Sequence, residues 1–249
     1  MTRSTAITAP ASRALTERVS TLYIVRHGET EWNVAGRVQG HGDSPLTARG
    51  EAQARTNGAL LAARGGVGAL WVSPLGRTRQ TAALLLEQHP HPQPQVTFEA
   101  ALMERHSGAW EGLTGAEIAR RDPGHWAVRK KDMYHHRPPG GENHVDLEQR
   151  IAPLLARLRA YLDADGAESP MSIALVTHGI LGRVLLKCLL DLTPSEAVRV
   201  LQPNHLVYGL RPVSTPAETA RADGWARLGR FAVGHFLDGQ GPMPGLLRH

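Results

Sequence analysis

TLYIVRHG, residues 21–28, decides how this chain folds. A short apolar run rich in β-branched residues that ends on Arg26 and His27 and stops at Gly28 reads as a buried strand. MSIALVTHG, residues 171–179, repeats the design and ends on His178 and Gly179. ALWVSP, residues 69–74, is a third such run, and the helical GRTRQTAALLLEQ, residues 76–88, follows it with Arg77 in its first turn. Between the first and third runs, LTARGEAQARTNGALLAAR spaces its apolar residues as a helix does, with Thr47 placed as its N-cap. HPHPQPQ, residues 89–95, cannot be regular helix and leads into a short strand, QVTFEA. Residues 113–165 are mostly helical, broken at Asp122-Pro123 and by RPPGGEN, residues 137–143. A short helix SEAVRVL and two strands, HLVYGLRP and GWARLGRFAVG, complete the pattern. Strands alternating with helices predict an α/β fold with a largely parallel sheet. No internal repeat appears, and the reading is a flexible tail over 1–20, one domain over 21–238 and a disordered tail over 239–249.

Composition narrows the function. The 249 residues are 41% hydrophobic, enough for a sizeable core. No apolar run approaches the roughly 18 residues that cross a bilayer, and the opening MTRSTAITAPASRALTERVS has no continuous apolar h-region, so the expectation is a cytoplasmic protein without a membrane partner. Cys188 is the only cysteine, which excludes a disulfide framework and a multi-thiolate metal site and reads as a buried core thiol. The net charge is +5, and all the basic residues except Lys130, Lys131 and Lys187 are arginines. That bias suits forked contacts to phosphate or carboxylate. The arginines are scattered, with no basic block and few aromatics between them, which speaks against nucleic acid as a partner. No Walker, GxGxxG or GxSxG sequence occurs. His135-His136 and the HPHP stretch offer no i,i+4 pair with a carboxylate and read as solvated loop histidines, so no metal is expected. Trp32, Trp110 and Trp126 read as packing residues.

Ligand sites in open α/β sheets collect at the carboxyl ends of strands. Three strands here end in polar groups: Arg26-His27-Gly28, Ser73-Pro74 with Arg77 just inside the next helix, and His178-Gly179. A glycine lets the backbone approach a ligand, and a helix N-terminus offers free amides to an anion. Two histidines and two arginines converging on one crevice suit a phosphoryl group, whose equatorial oxygens fixed guanidiniums bind bidentately without a metal. Neighbouring positive charge keeps one imidazole neutral and nucleophilic, which predicts a phosphohistidine. The leaving oxygen then needs a proton donor. ALMERHSGAWEG offers Glu104 beside the apolar Leu102-Met103 pair, with Glu111, Glu29 and Glu142 as rivals on spacing alone.

In order, RHGETEWN, RVQGHGDSPLTARGEAQA, SPLGRTRQTA, ERHSGAWEG and VTHG resemble the histidine phosphatase superfamily, in its phosphoglycerate-mutase-like branch, over about residues 21 to 210. The resemblance implies a three-layer α/β/α sandwich with a mostly parallel central sheet, so that residues 21–238 form a single histidine-phosphatase domain. It implies that His27 is the nucleophile, that Arg26, Arg77 and His178 hold the phosphoryl group, and that Asn33, Gln39, Gly40 and Gly179 line the same pocket. Glu104 matches the family's proton donor and acceptor. Ser107 stands where the mutases usually have tyrosine, and the segment ending in RPPGGEN is shorter than theirs. The RVQG and PPGGE forms look more like the broad-specificity phosphatases. The expected activity is therefore hydrolysis of a small phosphorylated metabolite without a cofactor. The alternatives are a phosphoglycerate mutase, which would need 2,3-bisphosphoglycerate, and a non-catalytic phosphate-binding module. Both a monomer and a homodimer suit the sequence.

Overall fold

The computed structural model describes residues 21–162, 172–213, 226–228 and 231–237. The expected tails over 1–20 and 239–249 lie outside them. Among the described residues seven strands form one sheet. β1 (Leu22–Arg26), β2 (Ala69–Val72), β3 (Gln95–Phe98) and β4 (Ile173–Thr177) run parallel, and β5 (Leu206–Pro212), β6 (Ala226–Leu228) and β7 (Phe231–Leu237) extend the sheet by antiparallel pairing. The spatial order is β3-β2-β4-β1-β5-β7-β6, so five of the seven strands point one way. GWARLGRFAVG thus contains two strands, with Leu228 paired to Phe231.

The apolar runs at 22–25 and 173–176 look uniform in sequence because both faces of a central parallel strand are covered. Their side chains nevertheless alternate. Leu22, Ile24, Ile173 and Leu175 join the core formed by α6 (His144–Leu162) and α7 (Gly179–Leu190). Tyr23, Val25, Ala174 and Val176 join the core under α2 (Ala48–Ala63) and α3 (Gly76–Leu86). The result is the three-layer sandwich. Thr47 caps α2, its hydroxyl accepting from the Gly50 amide at 3.0 Å. Cys188, expected in the core, is only partly buried at its edge. No helix among the described residues is long and apolar enough to cross a membrane.

What matters for function is the register at the sheet's centre. Arg26 pairs with Thr177, so His27 and His178 leave adjacent parallel strands side by side, and the His27 amide continues the ladder to the Thr177 carbonyl at 3.0 Å. β2 lies on the far side of β4, and Ser73 follows it with its amide on the Val176 carbonyl at 3.0 Å. Three strand ends and the first turns of α3 and α7 therefore meet at one place.

Candidate active site

That place is a cavity of about 300 Å³. Arg26, His27, Asn33, Gln39, Gly40, Arg77, Glu104 and Gly179 all line it, which brings together eight of the nine residues singled out from sequence. The ninth, His178, is fully buried directly beneath, its ring centroid 5.2 Å from that of His27.

Hydrogen bonds fix the protons on both rings. His27 Nδ1 lies 2.7 Å from the Gly28 carbonyl oxygen, which can only accept, so Nδ1 carries the hydrogen and Nε2 carries the lone pair. Burial, then Arg26 and Arg77, hold the His27 pKa well below the ordinary imidazole value and keep the ring neutral. In His178 the assignment reverses. Arg77 Nε can only donate, and it reaches His178 Nδ1 at 3.2 Å, so the hydrogen of His178 sits on Nε2 and is donated to Ser73 Oγ at 2.8 Å. Burial and the charge of Arg77 depress this ring as well. A neutral His178 with both nitrogens engaged orients Arg77 and has no donor left for an anion.

The two arginines differ in what they leave open. Arg77, fully buried, donates Nη1 to the Gly42 carbonyl at 2.8 Å and to Asp43 Oδ1 at 3.3 Å, and Nη2 to the Gly40 carbonyl at 2.8 Å. With Nε on His178, one of its five N–H groups remains for a ligand, so the bidentate grip expected of it is not available as it is held. Arg26 gives Nη1 to the Gln202 carbonyl, while its buried Nε has no partner among the described residues. Burial, reinforced by Arg183 and Arg77 against Glu104, pulls its pKa down to about 10. Arg26 is the guanidinium with a free edge. Gly179 lets it lie close, because a Cβ there would stand 3.3 Å from Arg26 Cζ.

In the first turns of both helices, several of the amides that the sequence offered to an anion are taken by carboxylates. At α7 the Ile180 amide donates to Glu104 Oε2 at 3.1 Å and the Leu181 amide to Oε1 at 3.1 Å. At α3 the Arg77 amide donates to Asp43 Oδ1 at 3.2 Å. Glu104 also accepts from the Arg105 amide at 2.8 Å, so its surroundings are polar backbone, whatever its apolar neighbours in sequence implied. Oε1 takes two donors and Oε2 one, which leaves Oε2 as the oxygen with room for a proton. The rival carboxylates are spoken for elsewhere. Glu111 holds the amides of His41, Gly42 and Ser107, Glu29 accepts from Thr47 Oγ1 at 3.0 Å, and Glu142 pairs with Arg150 at 3.0 Å. Of the four, Glu104 alone lines the cavity.

Gly28, read as an approach point for a ligand, serves packing instead: a Cβ there would fall 2.3 Å from the Gly50 carbonyl of α2. Sequence reasoning missed Arg37, Val38, Ile180, Arg183 and Gln202, which complete the lining with Ser107. Arg37 and Val38 adjoin Gln39 in RVQG, and Ile180 and Arg183 follow Gly179 within a turn of helix, so proximity to known positions was their one signal. Gln202 had none. Asn204, also missed, donates to the His27 carbonyl at 2.8 Å. Among the described residues no group of three or more His, Cys, Asp or Glu side chains could hold a metal; His135 faces Asp132, and His136 stacks on Trp110.

The chain is 34% identical over 197 residues to the rat protein 6-phosphofructo-2-kinase/fructose-2,6-bisphosphatase 1, a match that covers 78% of this chain and 37% of that one. Among solved structures, a mycobacterial glucosyl-3-phosphoglycerate phosphatase crystallised with VO3 superimposes with a TM-score of 0.67 at 32% identity, covering 78% of this chain and 92% of that one. The alpha-ribazole phosphatase from Shigella flexneri gives 0.68 at 26% identity, covering 78% and 91%. Residues 22–218 match the family described as histidine phosphatase superfamily (branch 1), and with its paired histidines, strand-end arginine and sandwich in the expected places, it is to that superfamily that this chain belongs.

Proposed function

We propose that this chain hydrolyses phosphomonoesters of small metabolites, without a metal, through a phosphate carried on His27. The observation that supports it most is the tautomer of His27: Nδ1–H is committed to Gly28, and the lone pair on Nε2 belongs to a ring that lines the cavity beside the unpartnered Nε of Arg26.

In this reading Nε2 attacks phosphorus, the P–N bond forms, and the P–O bond to the alcohol breaks. Glu104 Oε2 gives its proton to the departing oxygen. Arg26 Nε, the remaining Arg77 N–H and the Asn33 amide stabilise the charge on the equatorial oxygens. Ionised Glu104 then takes a proton from water, whose oxygen bonds to the same phosphorus as the P–N bond breaks, so that orthophosphate leaves and Nε2 regains its lone pair. Arg183 extends the positive lining beyond the reacting groups. Two of the relatives are named for a bisphosphate and a phosphoglycerate, which favours a substrate with a second anionic group here too.

The test uses p-nitrophenyl phosphate and a panel of phosphorylated metabolites in EDTA. Wild-type turnover with an acid-labile phosphoryl label, both absent in His27→Ala, is the expected result. Activity lost to chelation, or a variant that still turns over, overturns the mechanism. Exchange between 2- and 3-phosphoglycerate on addition of 2,3-bisphosphoglycerate would assign the protein to the mutases instead.

A further inference from the structure

We propose that Asn204, in the loop before β5, is a positioning residue that fixes both the nucleophile's backbone and the direction of the Asn33 amide. The inference rests on the phosphatase reading above.

The Asn204 carboxamide is oriented by its partners without ambiguity. Its nitrogen lies 2.8 Å from the His27 carbonyl oxygen and 3.3 Å from Asn33 Oδ1. A carbonyl only accepts, so the NH₂ group faces both, and its two hydrogens are spent on them. Asn33 Oδ1 in turn accepts from the Thr30 amide at 3.1 Å. Two donors converge on that one atom, so an inverted Asn33 would set its own NH₂ against two N–H groups. Asn33 therefore keeps its oxygen on the protein and turns its two hydrogens toward the cavity that it lines. A phosphoryl oxygen needs that polarity.

The second contact acts on His27. β1 ends at Arg26, and beyond it the His27 carbonyl lies in a residue only 2% exposed. Without Asn204 it would be a buried acceptor left unmet, a costly arrangement that the chain would relieve by turning the peptide. With it, His27 is held at its amide by Thr177, at its carbonyl by Asn204 and at Nδ1 by Gly28. Nε2 is the atom left for chemistry. The loop from Gln202 to Asn204 thus serves three neighbours, since the Gln202 carbonyl also receives Arg26 Nη1.

The experiment measures kcat and KM on p-nitrophenyl phosphate for wild type, Asn204→Ala, Asn33→Ala and the double variant, with Asn204→Asp as an isosteric partner and thermal melts of each. Asn204→Ala is expected to lower kcat about 10- to 100-fold with KM changed less than about threefold, as loss of orientation at the reacting centre does. The double variant is expected to fall short of the product of the two single losses, because both remove one arrangement. Asn204→Asp, which sets an oxygen against two oxygens, is expected to lose more than Asn204→Ala. The proposal is overturned if kcat of Asn204→Ala stays within about twofold of wild type, or if losses are strictly multiplicative with Asn33→Ala. It is equally overturned if Asn204→Asp keeps wild-type turnover, and that variant decides the matter should Asn204→Ala fail to melt cooperatively. Failure of the phosphatase reading would look different: His27→Ala would retain the wild-type rate.

Discussion

Ser73 acts on the site without touching the cavity. Its hydroxyl receives Nε2–H of His178, and that bond leaves Nδ1 as the acceptor for Arg77 Nε. Ser73→Ala removes the partner of one fully buried ring nitrogen and lets the proton move to the side facing Arg77. We expect kcat/KM to fall about 3- to 30-fold, in line with one lost hydrogen bond and a loosened guanidinium. Ser73→Thr, which keeps the hydroxyl, should recover part of it. Steady-state kinetics on both variants checks this, and an unchanged Ser73→Ala would mean that the tautomer does not matter to Arg77. At this scale the sequence was legible where residue type alone carries the chemistry: His27, Arg26, Arg77 and His178 each close a strand or open a helix. It was illegible where the contribution is a lone carbonyl or a loop amide, as with Gln202 and Asn204, because neither a motif nor a periodicity marks such a position. Glu104 lies between these cases. Spacing left four carboxylates open, and what separates them in space is that Glu104 alone lines the cavity while the others are engaged elsewhere.

At the scale of elements, the first turn of α2 is pressed against the loop that follows β1. A Cβ on Gly50 would stand 2.0 Å from the Glu29 carbonyl, and one on Gly28 2.3 Å from the Gly50 carbonyl. Backbone meets backbone there, so no side chain can swing away to make room. Gly50→Ala should therefore cost at least about 2 kcal/mol, seen as a melting temperature lower by about 4 to 8 °C for a chain of this size. A shift under 1 °C would show that the helix slides freely. The Thr47 cap and the helix it begins were both readable from the apolar spacing. The β6–β7 pairing was not, because alternation through GWARLGRFAVG looks the same whether one strand or two carry it. The occupancy of the helix N-termini was hidden for a related reason: Glu104 and Asp43 reach α7 and α3 from far along the chain.

Over the whole molecule, several imidazoles are folded away uncharged. His27 and His178 lie well below the ordinary value of 6.5, His144 is pushed down to about 3 by burial and then by Arg105, and His136 and His235 are lowered by burial. In the unfolded chain these groups bind protons near pH 6.5, whereas the folded chain resists them. The unfolded state thus holds more protons at mildly acid pH, and stability must rise with pH across that range and decline as pH drops below about 6.5. Thermal melts at pH 7.5, 6.5 and 5.5 in buffers of equal ionic strength should give steadily lower midpoints, and a flat series would contradict the buried neutral rings. The layered, largely parallel sheet that creates this interior followed from the strand and helix pattern, but its strand order and the histidines sealed inside it did not, since periodicity says nothing of His144 packed on Tyr134.

Arg77 spends four of its five N–H groups on Gly40, Gly42, Asp43 and His178, all groups of the protein itself. Such a fixture has its entropy of ordering settled when the chain folds, and in the proposed reaction it would meet the tetrahedral head that every ester of this kind shares. The free inorganic anion presents that same head. On the proposed hydrolysis, then, each cycle would end with a product that suits the same pocket as the next reactant, and the enzyme would work against its own exhaust.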